Sequence, residues 1–261
     1  MRRRYFDLDG RQLHLRASGR PSDGTPALLC LPPLPYSGLY FETLASAMPE
    51  RRLLCPDYPG YGGSDRAPGP PAIEAWARDL LALVDGLDES DSVDLLGFHT
   101  GCLVGAEMAR QAPDRVRRLV LVDVPFFDAA GRARLTEKAG SAHCFDAGLD
   151  SLRQAWETNV ASRQGRVPLA RCLALLAEQL RAEPGAHEGF RAAFAYDPLP
   201  VFAGLPHRCL LISAGASLRG PTRAASEALA SGRLLELPDT EPPVFETAVE
   251  TIARQTGEFL Q

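Results

Sequence analysis

The sequence predicts an α/β protein: a mostly parallel, twisted sheet of about eight strands, helices on both faces, and a block of helices inserted late in the sheet. Three observations lead there. Short apolar runs alternate with stretches of helical periodicity. The alternation stops between about 126 and 197, then resumes. The chain has 261 residues, 45% of them hydrophobic, enough for one large core.

Taken in order, residues 3–8 and 11–17 read as two strands joined by an Asp9-Gly10 turn, a strong hairpin signal. A Gly/Pro/Ser loop follows at 18–26. Ala27–Leu31 is a continuous apolar run, as expected of a strand buried on both faces. Residues 38–48 suit a helix, Arg52–Cys55 a strand, and 72–87 an amphipathic helix. Ser92–Leu96 is the next strand, 100–111 the next helix, and Val116–Val122 a nearly all-apolar strand. From 126 to 197 only helical stretches appear, near 129–139, 149–163, 168–183 and 187–195. Strand 208–213, helix 221–230, strand 233–237 and a closing helix 243–260 complete the pattern. Strands separated by helices imply a parallel sheet covered on both sides. Residues 1–125 and 198–261 then form the core, and 126–197 a helical cap inserted in it.

Composition excludes several roles. Net charge is -5, so the chain carries no basic footprint for nucleic acid or anionic lipid. Lys138 is the single lysine among many arginines, a codon-usage trait more than a binding signal. No apolar run approaches the ~20 residues of a membrane span. The start, Met-Arg-Arg-Arg-Tyr, lacks the apolar stretch of a signal peptide. The six cysteines show no paired spacing, and Cys30, Cys55 and Cys209 fall inside apolar runs, which suits a reduced cytoplasm. His143-Cys144 has no further ligands at metal spacing, so neither metal nor cofactor is expected. The expected partner is a small molecule; whether two copies pair as a homodimer is left open.

Gly97-Phe-His-Thr-Gly101 lies between a strand and a helix, where two glycines suit a crowded turn. In that setting it resembles the nucleophile elbow, G-x-S-x-G, of the α/β-hydrolase family. Pro56-Asp-Tyr-Pro-Gly-Tyr-Gly-Gly-Ser64 resembles the family's D-x-P-G-x-G-x-S turn. Pro113–Pro125 is similar to the segment after the elbow, and the helix ending Phe259-Leu260 to the last helix. The resemblance covers nearly the whole chain and implies the α/β-hydrolase fold. It also implies a Ser-His-Asp triad, which this sequence lacks. The nucleophile position is His99. The acid expected after the post-insertion strand falls at Ala216. Pro238–Pro243, where a histidine is expected near Glu241, has none. The usual H-G of the first loop reads Pro32-Pro33. Two backbone donors remain by position, the N–H groups of Leu34 and Thr100, which the resemblance assigns to an oxyanion hole.

His99 reads as a general base or acid, with an unperturbed pKa of about 6.5. It reads equally as a polar lining residue, and less readily as a nucleophile. Asp123 is its candidate partner, against the plainer reading of an aspartate bonding local backbone; Asp128 is a weaker candidate. Tyr36, Phe98, Phe126, Phe127 and Trp156 are candidate ligand contacts, with Phe190 and Phe194 more readily packing residues. Cys102 reads as core. His14 and His207 read as structural or solvent-facing, and His187, in a polar stretch of the insertion, points to no role. Ser37 has no base near it in sequence.

Three functions follow. One is an atypical enzyme in which His99 moves a proton of a small, largely apolar carbonyl compound while Leu34 and Thr100 hold its oxygen: a lyase, an isomerase or cyclase, or a water-activating hydrolase. The second is an inactive pseudo-hydrolase that binds a small molecule or serves as a scaffold. The third, an esterase with a relocated triad, predicts labelling by a serine-directed fluorophosphonate, and none is expected.

Overall fold

The computed structural model describes residues 1–21, 24–87, 91–142, 145, 148–182, 185–240 and 242–261, side chains 139–142 excepted. Eight strands form one sheet: β1 (Arg2–Leu8), β2 (Arg11–Ser18), β3 (Leu28–Leu31), β4 (Leu53–Pro56), β5 (Val93–Phe98), β6 (Val116–Val122), β7 (Arg208–Ser213) and β8 (Gly232–Glu236). Their order is β1-β2-β4-β3-β5-β6-β7-β8. The first two strands pair antiparallel, as do β2 and β4; every later pair is parallel. The hairpin turns at Asp9 and Gly10, both with positive φ, which an Asp-Gly pair tolerates.

Two cores, one on each face, explain the continuous apolar runs. Leu29 and Leu31 of β3 face one core, Leu28 and Cys30 the other. Helices Ile73–Leu87 and Thr100–Gln111 cover the first face. Helices Glu42–Ala47 and Val249–Leu260 cover the second. Cys30, Cys55, Cys102, Cys172 and Cys209 are buried free thiols. No helix among the described residues is long and apolar enough to cross a membrane.

Between β6 and β7 the described residues hold only helices: Ala129–Ala142, Leu149–Asn159, Leu169–Arg181, Ala186–Ala195 and the short Leu199–Gly204, which the sequence reading omits. The expected helix over 149–163 stops at Asn159, whose side-chain amide donates back to the carbonyl of Ala155 at 2.9 Å. The closing helix also breaks, at Ala248, into Val244–Thr247 and Val249–Leu260. This helical block has a small cluster of its own around Ala155, Val160, Val167, Cys172 and Leu176. Its other buried residues join the main cores: Leu175 on one face, and Ala182, Ala186 and Ala193 on the other.

Side chains fasten the block. Arg171, nearly buried, donates to the carbonyls of Leu39 (3.0 Å) and Tyr40 (2.8 Å) and pairs with Glu246 at 2.8 Å. At the far end the Tyr196 hydroxyl donates to Glu107 at 2.9 Å, a carboxylate also held by Arg110 and Gln111.

Candidate active site

β5 ends in a turn that only glycine allows at two places. A Cβ on Gly97 would lie 2.5 Å from the carbonyl oxygen of Gly101, and one on Gly101 would overlap the carbonyl of Leu31. Between them His99 adopts φ 49° and ψ −117°, a conformation that costs an L-residue strain of order 1–3 kcal/mol. The amide of His99 donates to Val122 at 3.1 Å and its carbonyl accepts from Cys102 at 2.9 Å, so the turn is fixed on both sides. That geometry sends the imidazole away from the sheet and into a cavity of about 220 Å³.

The cavity brings together four of the expected residues. Leu34, His99, Thr100 and Phe127 all line it. Among the described residues no acceptor meets the N–H of Leu34 or of Thr100. Both residues are buried, and buried backbone donors are rarely left unmet. The rest of the wall is mainly apolar and comes in part from the helical block, through Leu135 and Phe194; no described lining residue is charged. His99 is half-buried, with its ring 4.1 Å centroid to centroid from Phe98. Burial pushes its imidazole down to about 4, so it is neutral at physiological pH.

Other expected contacts lie elsewhere. Asp123 does not reach His99. It ends β6 with φ 50°, and its Oδ1 accepts from the amides of Ala214 and Gly215, each at 2.8 Å. Its Oδ2 accepts a second bond from Gly215 at 2.9 Å. It bonds backbone, as the plainer reading expected, but not the local backbone: both partners lie in the loop after β7, and burial still pushes its carboxyl above the usual range. Asp128 accepts from the amide of Gly131 at 2.7 Å and caps the helix that follows.

Tyr36 points at the helical block, its hydroxyl donating to Asn159 at 2.9 Å. Phe98 sits behind the histidine, packed among Tyr40 and Phe245. Phe126 meets Phe202 edge-on, outside the chamber. Trp156 is 44% exposed and lines a separate cavity inside the helical block. Each points away because its neighbours in the fold, not its place in the chain, decide its direction.

The remaining candidates are architectural. Cys102 is buried, its thiol pushed well up by that burial and donating to the carbonyls of Gly97 and Val122, each at 3.3 Å. His14 pairs with buried Asp57 at 2.7 Å, and Asp57 also accepts from the amides of Gly38 and Gly63, so the Pro56–Ser64 turn is a brace. Ser37 caps Leu39. His207 bonds the carbonyl of Pro113. His187 is half-buried in the helix Ala186–Ala195, away from the chamber. His143, Cys144 and Glu241 lie outside the described residues, and among those described no cluster of metal-binding side chains occurs.

The sequence reading missed Leu103, Leu135 and Ser217, which line the chamber. Leu103 stands one helical turn from His99, a legible spacing. Ser217 follows Ala216, where the family's acid is expected. Leu135 gives no local signal.

A family model for the alpha/beta hydrolase fold matches residues 26–175. Among curated relatives, a 2-hydroxy-6-oxo-2,4-heptadienoate hydrolase of Pseudomonas putida is 30% identical over 162 residues, 57% of this chain and 53% of that protein. A 2-hydroxymuconate semialdehyde hydrolase of a Pseudomonas species is 28% identical over 188 residues, 63% and 61% respectively. The chain thus spans less than two thirds of the length of these relatives. Among solved structures, an enol-lactonase from Burkholderia xenovorans LB400 aligns with TM-score 0.79, 23% identity and coverage of 98% of this chain and 99% of that one. A thermophilic esterase from Thermogutta terrifontis aligns with TM-score 0.78, 18% identity and coverage of 100% and 98%. At those identities the likeness is one of fold.

Proposed function

The chain belongs to the α/β-hydrolase fold family, and from that premise we propose that it is an enzyme which works without a covalent nucleophile. The substrate is a compact, mainly apolar carbonyl compound. Its oxygen accepts from the N–H groups of Leu34 and Thr100, and neutral His99 takes a proton from a C–H or O–H group beside that carbonyl. The imidazolium then returns the proton to the product. Lyase, isomerase or cyclase chemistry follows this course directly; hydrolysis follows it if the proton comes from water. The helices between β6 and β7 act as the cap that roofs the chamber.

One observation carries the reading: two backbone N–H groups and one imidazole that find no hydrogen-bond partner among the described residues belong to residues lining one small apolar chamber. Such donors act most strongly where water is excluded. The names of the two Pseudomonas relatives, one an oxo compound's hydrolase and one a semialdehyde's, support a carbonyl-bearing substrate. The missing orienting carboxylate favours the second reading, a pseudo-hydrolase that only binds or scaffolds, because Asp123 is spent on Ala214 and Gly215.

The deciding experiment follows deuterium exchange beside the carbonyl of small ketones and esters in D2O by NMR. The enzyme reading expects exchange or turnover that His99→Ala abolishes and that fades as pH drops through about 4, where the imidazole becomes charged. Ligands that bind wild type and His99→Ala equally, with no exchange in either, leave only the binding protein.

A further inference from the structure

A second cavity, of about 240 Å³, adjoins the His99 chamber, and Phe127 and Leu135 line both. Its other described wall residues are Gly131, Arg134 and Lys138. Gly131, Arg134, Leu135 and Lys138 follow one another at spacings of three, one and three along helix Ala129–Ala142, so they share one face. Gly131 packs close against Phe127, and the two cations flank the leucine that walls the inner chamber.

Arg134 and Lys138 are like charges one helical turn apart. The carboxylates nearest Arg134, Asp128 and Asp197, have other partners. Asp128 is occupied by the amide of Gly131, and Asp197 pairs with Arg132 at 2.9 Å. Glu137 belongs to the same helix but does not line the cavity. Among the described residues no carboxylate pairs with Arg134. An uncharged chamber therefore opens beside a vestibule whose charged wall residues, among those described, are both cations.

We propose that the ligand is an amphipathic anion, with its carbonyl and apolar body in the His99 chamber and a carboxylate at its other end held by Arg134 and Lys138. The inference rests on the chamber being the ligand site. Arg134 and Lys138 are then specificity residues, since they touch the far end of the ligand and not the reacting atoms. Phe127 and Leu135 form the collar around its middle.

Calorimetric titration with half-methyl esters of straight-chain dicarboxylic acids, from succinic to suberic, against the matching dimethyl diesters tests this. At one chain length the half-ester is expected to bind about tenfold more tightly than its diester, the scale of two exposed ion pairs. The double variant R134Q/K138Q should bring the half-ester down to the diester and leave the diester unchanged. Added salt should shrink the preference in wild type. Equal affinity of half-ester and diester at every length, or a preference that survives R134Q/K138Q, overturns the proposal, and so does binding of neither series. Leu103→Trp, which fills the chamber, separates the two levels. If diesters lose binding in that variant but half-esters had no advantage in wild type, the anion site falls and the chamber stands. If half-esters bind Leu103→Trp as well as wild type, the chamber falls as the ligand site, and the proposal with it.

Discussion

His99 and Asp123 stand at the same place on neighbouring parallel strands. Each follows the last residue of its strand, β5 or β6, and each is a non-glycine residue held at positive φ, 49° and 50°. Their side chains have opposite fates. Asp123 is fully buried and makes three bonds to the backbone of the loop after β7. His99 makes no side-chain hydrogen bond to the described residues and faces an apolar chamber. Strain at Asp123 is offset by the bonds it permits, so that position is architectural. Strain at His99 is matched by no side-chain bond among the described residues; only the backbone of its turn is tied down.

The comparison can be broken or sharpened by mutation. The largest effect belongs to the turn that aims His99. Gly101→Ala drives a methyl group into the carbonyl of Leu31, and urea unfolding should show a loss of about 4 kcal/mol or more. Asp123→Ala comes next. It strands the buried amides of Ala214 and Gly215, so the expected loss is about 2–4 kcal/mol. A loss under about 1 kcal/mol there would end the claim that Asp123 is architectural.

The pH dependence ranks third. The folded protein holds His99 near 4, below the ordinary value of about 6.5, so the unfolded chain binds the proton more readily. The stability that comes from keeping His99 neutral is full above about 6.5 and is lost as pH falls toward about 4, up to about 3 kcal/mol before solvent screening. His99→Asn should flatten that limb of the curve in melts between those values. The smallest effect is the sharpest contrast. His99→Gly relieves strain and should leave stability equal or higher by up to ~1 kcal/mol, whereas Asp123→Gly should lower it as Asp123→Ala does. If both glycine variants lose stability alike, the two positions are equivalent and the comparison fails.

The fold was legible because the central strands are buried on both faces, so segments such as Val116–Val122 read as unbroken apolar runs. The elbow was legible because Gly97 and Gly101 answer a steric demand that no other residue meets. The chamber was most legible where the chain itself forms the turn, at Leu34, His99, Thr100 and, next to β6, Phe127; Phe190 and Phe194 also line it, although packing was the readier expectation for both. The opposite wall comes from Leu135 and Phe194, on helices whose docking is a tertiary matter. The role of Asp123 was out of reach for a related reason: its partners lie 91 and 92 residues away. Trp156 misled because an aromatic at a helical position looks the same whether it faces a ligand, a core or, as here, partly solvent.

Arg171 has a consequence for how evenly the helical block is held. One guanidinium ties helix Leu169–Arg181 to two carbonyls and a carboxylate of the core, so displacing that helix breaks all of them together. Helix Ala129–Ala142 makes its main contacts with helix Ala186–Ala195 instead, and its Arg132 bonds stay within the helical block. Amide hydrogen exchange should therefore be slow along 169–181 and faster along 129–142. The helical block is thus riveted to the core at one helix and held mainly to itself at the other, and the second is the one that brings Leu135 to the chamber wall.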